Sequence, residues 1–230
     1  MIAISSKQNV WFKRIREAVR EHEGEIVLEG PKPVADAVAA GWRPIKIFTR
    51  GVDFTAGLFD ALAETRSPQN VIGLFHRPQS SVDQLFVRDS SIVIALDGVQ
   101  DPGNVGTIVR LAAAFDANGI ILLPGCADPF GPKAIRSSSG AILTVPVVRA
   151  SVDELLARGW PVFAADSRGE AADPPARTAI LAFGSEGSGL SPALAGVARL
   201  IAIRMAARIE SLNVATSAAI LLARSYGLRA

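Results

Sequence analysis

Apolar residues in the second half of the chain occur in short continuous runs and do not alternate with polar ones. The clearest run is Ile92–Asp97, where five aliphatic residues precede an aspartate. Runs of this kind are typical of strands buried on both faces of a parallel sheet. Similar runs predict strands over 119–123, 145–148, 162–165, 180–183 and 200–203. Helical spacing between and after them predicts helices over 104–116, 131–140, 152–158 and 211–222, so the pattern indicates an α/β fold.

The first part of the chain has its own shorter alternation of elements. Apolar positions at helical spacing predict an amphipathic helix over 9–22. Strands are predicted over 25–28, 45–49 and 71–75, with helices over 31–40 and 58–64. A polar stretch at 77–91 is the predicted linker. We therefore expect a small α/β domain at 1–80 and a larger domain at 90–230.

Composition places the chain among packed globular proteins. Hydrophobic residues make up 49 % of the 230 residues and the net charge is +2, which excludes a disordered chain. No apolar run reaches the ~18 residues of a membrane span, and the start does not read as a signal peptide. With a single cysteine, the chain is expected to be cytoplasmic. Basic residues cluster near the start of the chain, where they fit either a solvated helix face or an RNA-binding surface: Lys7, Lys13, Arg14, Arg16 and Arg20.

Three loops rich in small and polar residues follow three of the predicted strands. They are residues 101–110, 183–190 and 210–214. Because the carboxyl ends of parallel strands meet at one edge of a sheet, we expect these loops to build one site. Neither glycine-rich loop carries a Walker sequence or the full dinucleotide fingerprint. The two histidines, His22 and His76, lie in the first domain, so no histidine base is available in the second.

In order and spacing, these loops resemble the three motifs of the SpoU (TrmH-like) branch of the SPOUT methyltransferases. The motifs run from Asn104 to Arg110, from Gly184 to Gly187, and from Ile203 to Asn213. The resemblance covers about the last 140 residues, and 26–30 with 67–69 resemble the substrate-binding domain of rRNA-modifying members. It implies transfer of a methyl group from S-adenosylmethionine to a ribose 2′-hydroxyl in RNA, rRNA more than tRNA. It also implies a C-terminal trefoil knot and a homodimer formed through the catalytic domain, with no metal.

The same resemblance assigns roles to individual residues. The catalytic set is Asn104, Arg110, Glu186, Ser211 and Asn213. The cofactor-binding set is Gly184, Glu186, Gly187, Ile203, Met205, Ser211 and Leu212. Arginine resists deprotonation, so Arg110 is expected to orient and polarise the hydroxyl and a phosphate, with the final proton acceptor left open.

The chain also departs from the family pattern. Arg204 replaces a usual proline, Ala207 a usual glycine and Ala215 a common serine, and the first two bear on the cofactor loop. One alternative interpretation is an RNA-binding relative that has lost catalysis, although the retained motif residues argue against it. A second alternative is a nucleotide-dependent oxidoreductase, which would need the missing glycine fingerprint.

Overall fold

The structure is a computed structural model that describes residues 3–63, 68–87, 92–206, 208–209 and 211–228. The chain divides into two compact units. The first comprises Met1–Pro78 with Phe130–Pro132, and the second comprises Gln79–Pro129 with Lys133–Ala230. Three residues singled out in the sequence, Ser67, Ala207 and Glu210, lie outside the described residues.

The first unit is a three-stranded antiparallel sheet with helices. Its strands are β1 (Glu25–Glu29), β2 (Pro44–Thr49) and β3 (Val71–His76), in the order β1-β3-β2. Its helices are α1 (Val10–Glu21), α2 (Pro31–Ala39) and α3 (Ala56–Asp60). Helix α1 begins after Asn9, whose side chain accepts a hydrogen bond from the Trp11 amide. Its apolar stripe enters a core that includes Phe48 and Phe59, so the predicted amphipathic helix is present.

The second unit is built on a six-stranded parallel sheet, which confirms the predicted α/β class. Its strands are β4 (Ile92–Asp97), β5 (Gly119–Leu122), β6 (Val147–Arg149), β7 (Val162–Glu170), β8 (Ala179–Gly184) and β9 (Arg199–Ile201). Its helices are α4 (Pro102–Ala114), α5 (Pro132–Ser138), α6 (Val152–Leu156), α7 (Pro192–Ala195) and α8 (Val214–Gly227). The strand order is β6-β5-β4-β8-β7-β9.

Strands β4 and β8 lie side by side at the centre of this sheet, in register from Ile92 with Ala179 to Asp97 with Gly184. Every residue of β4 is buried, as expected of a strand covered on both faces. This strand order places β5 and β6 on one side of the pair, and β7 and β9 on the other. The loops after β4 and β8 therefore open at a topological switch point, where α/β sheets commonly bind ligands.

Strand β7 continues past its predicted end at Ala165 and bends around β9. Ile201 of β9 is paired with both Ala165 and Glu170 of β7, and the Glu170 carbonyl accepts from the Ala202 amide at 2.8 Å. A Cβ at Gly169 would lie 2.5 Å from the backbone of Leu200, so only glycine fits this crossing. Such a close passage is what a threaded segment requires, and the trefoil knot itself stays a prediction.

Other element boundaries differ from the sequence prediction for local reasons. Helix α8 begins at Val214, not at 211, because Asn213 caps it. Strand β6 begins two residues later than predicted, after Pro146, which cannot donate to a strand ladder. Helix α7 has four residues and no helical periodicity to reveal it. Helix α3 ends at Asp60, and the predicted end at residue 64 lies outside the described residues.

Candidate active site

Two of the three predicted loops begin at neighbouring strand ends. Asp101 caps α4 by accepting from the Asn104 amide at 3.0 Å, and its carboxylate also pairs with Lys133 at 2.6 Å. The Lys133 ammonium, with help from the Asn104 amide, lowers the pKa of Asp101 below its usual range. The capping carboxylate stays ionised, and it fixes the start of the helix that carries Asn104 and Arg110.

Three predicted catalytic residues form one hydrogen-bonded cluster. The Asn104 side-chain amide donates to Glu186 Oε1, and Asn213 Nδ2 donates to the same oxygen at 3.1 Å. Asn213 Nδ2 also lies 3.2 Å from Asn104 Oδ1. We call Asn104, Glu186 and Asn213 the carboxamide–carboxylate cluster. It joins residues from three separate stretches of the chain around a single carboxylate oxygen.

The other Glu186 oxygen, Oε2, receives no hydrogen bond from any residue that the structure describes. Both amides orient the carboxylate while leaving this oxygen open, so the carboxylate can still accept a proton or a donor hydrogen. Asn213 also caps α8, since its Oδ1 accepts from the amides of Ala215 at 2.9 Å and Thr216 at 3.3 Å. The start of α8 and the position of Glu186 thus depend on the same side chain.

The glycine-rich loop that carries Glu186 is closed on itself. The backbones of Ser185 and Gly189 exchange two hydrogen bonds of 3.0 Å, and the Ser185 hydroxyl accepts from the Ser188 amide at 3.1 Å. Gly189 has a φ of +69°, which few other residues adopt. A Cβ at Gly184 would lie 2.3 Å from the Gly189 backbone. The loop therefore needs glycine at both positions to present Glu186.

A cavity of about 480 Å³ opens beside this loop, a size within the range of small-molecule sites. All seven residues of the predicted cofactor-binding set line it, although they come from two separate motifs. Its walls are formed by Ala165, Asp166, Ser167, Arg168, Phe183, Gly184, Ser185, Glu186, Gly187, Ser188, Gly189, Ile201, Ile203, Met205, Ser211, Leu212, Asn213, Val214 and Ser217. Glycine and apolar residues make up about half of this lining and polar residues the rest, a mixture that fits a nucleoside-containing cofactor.

Arg110 stands apart from this cavity and from the carboxamide–carboxylate cluster. It lies farther along α4, is exposed, and donates from Nη1 to the Ser139 hydroxyl at 3.3 Å. No carboxylate in the described parts of the chain pairs with it. The structure thus places Arg110 on the predicted helix, but its hydrogen-bond partner, Ser139, was not predicted from the sequence.

Two charged residues in the cavity wall were missed by the sequence analysis. The Asp166 carboxylate accepts three hydrogen bonds from Arg168, from the backbone amide at 2.8 Å, from Nε at 2.9 Å and from Nη2 at 2.7 Å. The Arg168 guanidinium lowers the pKa of Asp166. The signal was available, because Asp166-Ser167-Arg168-Gly169 is a fourth polar, small-residue stretch directly after a predicted strand.

Cys126 is buried at 8 % exposure, and its thiol donates to the Leu96 carbonyl at 3.1 Å. Burial raises the pKa of this thiol, which disfavours the thiolate needed for nucleophilic chemistry.

Among the residues that the structure describes, no group of histidine, cysteine, aspartate and glutamate is arranged to hold a metal ion. No helix in that part of the chain has the length and apolar character needed to cross a membrane.

Comparison with known proteins agrees with this geometry. A model of the SpoU rRNA Methylase family matches residues 91–223. The 23S rRNA (guanosine(2553)-2′-O)-methyltransferase RlmP of Bacillus subtilis is 36 % identical, over 74 % of this chain and 69 % of its own length. The 23S rRNA (uridine(2479)-2′-O)-methyltransferase of Streptomyces viridochromogenes is 27 % identical, over 88 % of this chain and 83 % of its own.

Solved structures extend the similarity over both units. An AdoMet-bound rRNA methyltransferase from Sinorhizobium meliloti superposes with a TM-score of 0.89 at 27 % identity, covering 99 % of this chain and 98 % of the other. The SpoU methyltransferase AviRb from Streptomyces viridochromogenes, in complex with AdoMet, gives a TM-score of 0.83 at 26 % identity. That match covers 96 % of this chain and 98 % of AviRb.

Proposed function

The chain belongs to the SpoU rRNA methylase family, and we infer from this membership that it transfers a methyl group from S-adenosylmethionine to a ribose 2′-hydroxyl of rRNA. The observation that carries the inference is the carboxamide–carboxylate cluster at the edge of a cavity lined by the whole predicted cofactor-binding set. When bound, S-adenosylmethionine supplies an electrophilic methyl group. The protein's own residues must hold the hydroxyl in line, accept its proton and keep water away.

Residues of the second and third motifs would hold the cofactor. Gly184 and Gly187 offer backbone without side chains, while Ile203, Met205 and Leu212 supply apolar walls. Ser211 is a polar group in the same wall. Arg204, the departure from the usual proline, is exposed and does not line the cavity. This assignment is supported by the cavity and by the motif positions together.

Glu186 is our candidate for the group that receives the hydroxyl proton, directly or through water. Its Oε1 is held by Asn104 and Asn213, so the carboxylate is oriented before substrate arrives. Such preorganised polar groups cost no rearrangement during the reaction. The two carboxamides act as positioning groups for this carboxylate.

Arg110 is assigned to the ribose-phosphate side of the reaction. Its guanidinium is exposed and has a neutral partner, so its full charge is available to a phosphate or to the developing alkoxide. A planar guanidinium can grip a phosphate with two hydrogen bonds. Because arginine side chains resist deprotonation, we assign Arg110 to orienting and polarising the hydroxyl and not to taking its proton.

RNA is proposed to bind both units, with the first serving as the substrate-binding domain. Three basic residues of its opening segment, Lys7, Lys13 and Arg16, are exposed, and the described residues offer none of them an ion-pair partner. Arg14 and Arg20 are instead paired with Glu25 and Glu21. Lys7, Lys13 and Arg16, which have no ion-pair partner among the described residues, are therefore the better candidates for phosphate contacts.

We also propose a homodimer formed through the second unit. Ala218, Leu221 and Leu222 of helix α8 are apolar but buried within the chain itself, so they are not available to a partner subunit. The exposed apolar residues Ile209, Tyr226 and Leu228, which are about half exposed or more, are better candidates for the interface. The mass in solution at micromolar concentration, from analytical ultracentrifugation, tests this proposal.

Single-turnover methylation of rRNA tests the catalytic proposal. Ribose-methylation mapping in cells with and without the gene first identifies a substrate fragment. Arg110→Ala should then bind cofactor like the wild type and lose about 10²-fold or more in rate, because one well-placed polar contact to the reacting group is removed. Arg110→Lys should recover little, since a point charge cannot replace the planar fork. If Arg110→Ala transfers the methyl group at the wild-type rate, a group other than Arg110 must orient and polarise the 2′-hydroxyl.

A further inference from the structure

Helix α5 lies against α4 with no side chain between their closest points. Gly106 of α4 faces α5, and a Cβ at this position would come within 2.2 Å of the Ala134 carbonyl oxygen and 2.8 Å of Ser137 Cβ. Real Cβ atoms do not approach a backbone oxygen this closely. The absence of a side chain at Gly106 thus brings the backbone of α5 into contact with the helix that carries Arg110.

Both ends of the segment 133–139 are joined to α4 by polar contacts. At the first end, Lys133 pairs with Asp101, the residue that caps α4. At the second end, Arg110 Nη1 donates to the Ser139 hydroxyl. The segment thus contacts α4 at its start, middle and end, and these contacts set the position of Ser139 relative to Arg110.

Ser139 follows the last residue of α5 with a φ of 50°, a region that favours glycine, asparagine and aspartate. A serine at such a position is uncommon, and glycine would adopt the backbone more easily. The residue therefore offers a hydroxyl at some cost in backbone energy. The hydroxyl is the part of Ser139 that contacts Arg110.

The Ser139 hydroxyl that contacts Arg110 is uncharged, and this distinguishes it from the partners of two other arginines in the chain. Arg50 and Arg168 are each held by a carboxylate, from Asp60 and Asp166 respectively. A carboxylate would orient Arg110 equally well, but it would also neutralise the charge that a phosphate must meet. A hydroxyl acceptor orients the guanidinium and leaves its charge intact.

We propose that Ser139 is a positioning residue for Arg110, with its hydroxyl orienting the guanidinium toward the RNA ribose and phosphate without neutralising it. The proposal rests on the role given to Arg110 above. It deepens that role by naming what sets the arginine's orientation, a residue 29 positions along the chain from Arg110.

Three substitutions that all tolerate a positive φ separate the contributions of Ser139. Ser139→Gly keeps the backbone conformation and removes the acceptor, so kcat at saturating RNA should fall about tenfold, while cofactor affinity stays unchanged. Ser139→Asn restores an acceptor oxygen and should recover most of the loss. Ser139→Asp also restores an acceptor but pairs with Arg110, so KM for RNA should rise.

Thr178→Gly is the matched control, because it removes a hydroxyl residue with a φ of 45° just before β8, at the end of that strand away from the site. It should leave kcat at the wild-type value. Wild-type kcat in Ser139→Gly, or no recovery in Ser139→Asn, would overturn the proposal. An equal loss in Thr178→Gly would also overturn it, since the effect would then come from glycine substitution in general.

A measurement without RNA keeps the test independent of the catalytic proposal. Nitrogen-15 relaxation of the Arg110 Nε–H group reports side-chain order on the nanosecond timescale. The order parameter should fall in Ser139→Gly and return in Ser139→Asn. No change would overturn the positioning role. If the wild type failed to methylate RNA, the proposed function would be contradicted. The relaxation measurement would still decide whether Ser139 positions Arg110, because it requires no catalysis.

Discussion

Asn213 has two structural roles that one substitution can separate. Its Oδ1 caps α8 through the amides of Ala215 and Thr216, while its Nδ2 donates to Glu186 and Asn104. Asn213→Asp retains a good capping oxygen, since aspartate caps helices as well as asparagine does. It removes the donor, however, and places a second carboxylate about 3 Å from Glu186 Oε1, the present Nδ2 distance.

The size of the effect follows from this distance. Two unit charges about 3 Å apart repel by about 1 kcal/mol in bulk water and about 5 kcal/mol at an effective dielectric of 20. Both side chains belong to exposed residues, so the lower part of that range applies. Asn213→Ala loses the cap as well, at a cost of about 1 kcal/mol. Asn213→Ser keeps a cap without charge or amide donor, and it is the control for the lost donor alone.

The repulsion also predicts a pH dependence. Two adjacent carboxylates raise each other's pKa in the folded state. A raised folded-state pKa adds stability below the ordinary carboxyl pKa of about 4, and that contribution is lost as pH rises through the folded-state pKa. Asn213→Asp should therefore resemble Asn213→Ser near pH 4 and fall below it in melting temperature by pH 8.

Thermal unfolding of the cofactor-free protein at several pH values measures this difference, and calorimetric titration with S-adenosylmethionine at pH 8 measures the effect on the site. We expect weaker cofactor binding and slower transfer in Asn213→Ala and Asn213→Asp, because Glu186 loses an orienting donor in each. If Asn213→Asp and Asn213→Ser melt at the same temperature from pH 4 to pH 8, the two carboxyl groups do not interact and the cluster geometry is wrong.

Two further predictions concern the glycine-rich loop and RNA binding. Gly184→Ala should destabilise the cofactor-free protein by about 1–3 kcal/mol, because the new Cβ would overlap the loop backbone. A Cβ at Gly187 would meet nothing within 4 Å, so Gly187→Ala should melt at the wild-type temperature. Equal melting of the two variants would contradict this reading of the loop. Lys13→Gln and Arg16→Gln should each weaken RNA binding and flatten its dependence on salt, while Arg14→Gln should do so less because Arg14 is already paired with Glu25. Filter-binding titrations from 50 to 300 mM salt, about the range over which phosphate contacts weaken, measure the affinity for RNA and its dependence on salt. Equal effects of all three substitutions would show that pairing with Glu25 does not keep Arg14 from contacting RNA.

The sheet was predictable because burial on both faces leaves a strong signal. Every position of β4 had to be apolar up to Asp97, and the sequence shows this directly. The start of α8 was harder to place, because Ser211 and Asn213 are both common capping residues and only the backbone decides between them. Strand β7 was predicted too short, since its second half pairs with β9 through polar residues that carry no strand periodicity.

The site was predictable in its motifs but not in its connections. Polar loops after strands indicated where Asn104, Glu186 and Asn213 would gather, because parallel strands end at one edge. The hydrogen bonds among them join residues 82 and 109 positions apart, and no local pattern encodes such pairs. The contact between Arg110 and Ser139 has the same character.

The cluster joins stretches of chain that lie far apart in sequence, and this has a consequence for the order in which the site forms. Glu186 is oriented only when α4 and α8 are both in place, since each supplies one amide to its Oε1. Helix α8 is in turn capped by Asn213, a residue of the last motif. The carboxylate is therefore poised only after the C-terminal segment has docked, and a chain whose last helix is displaced should lose the orientation of Glu186 even with β4 and β8 intact.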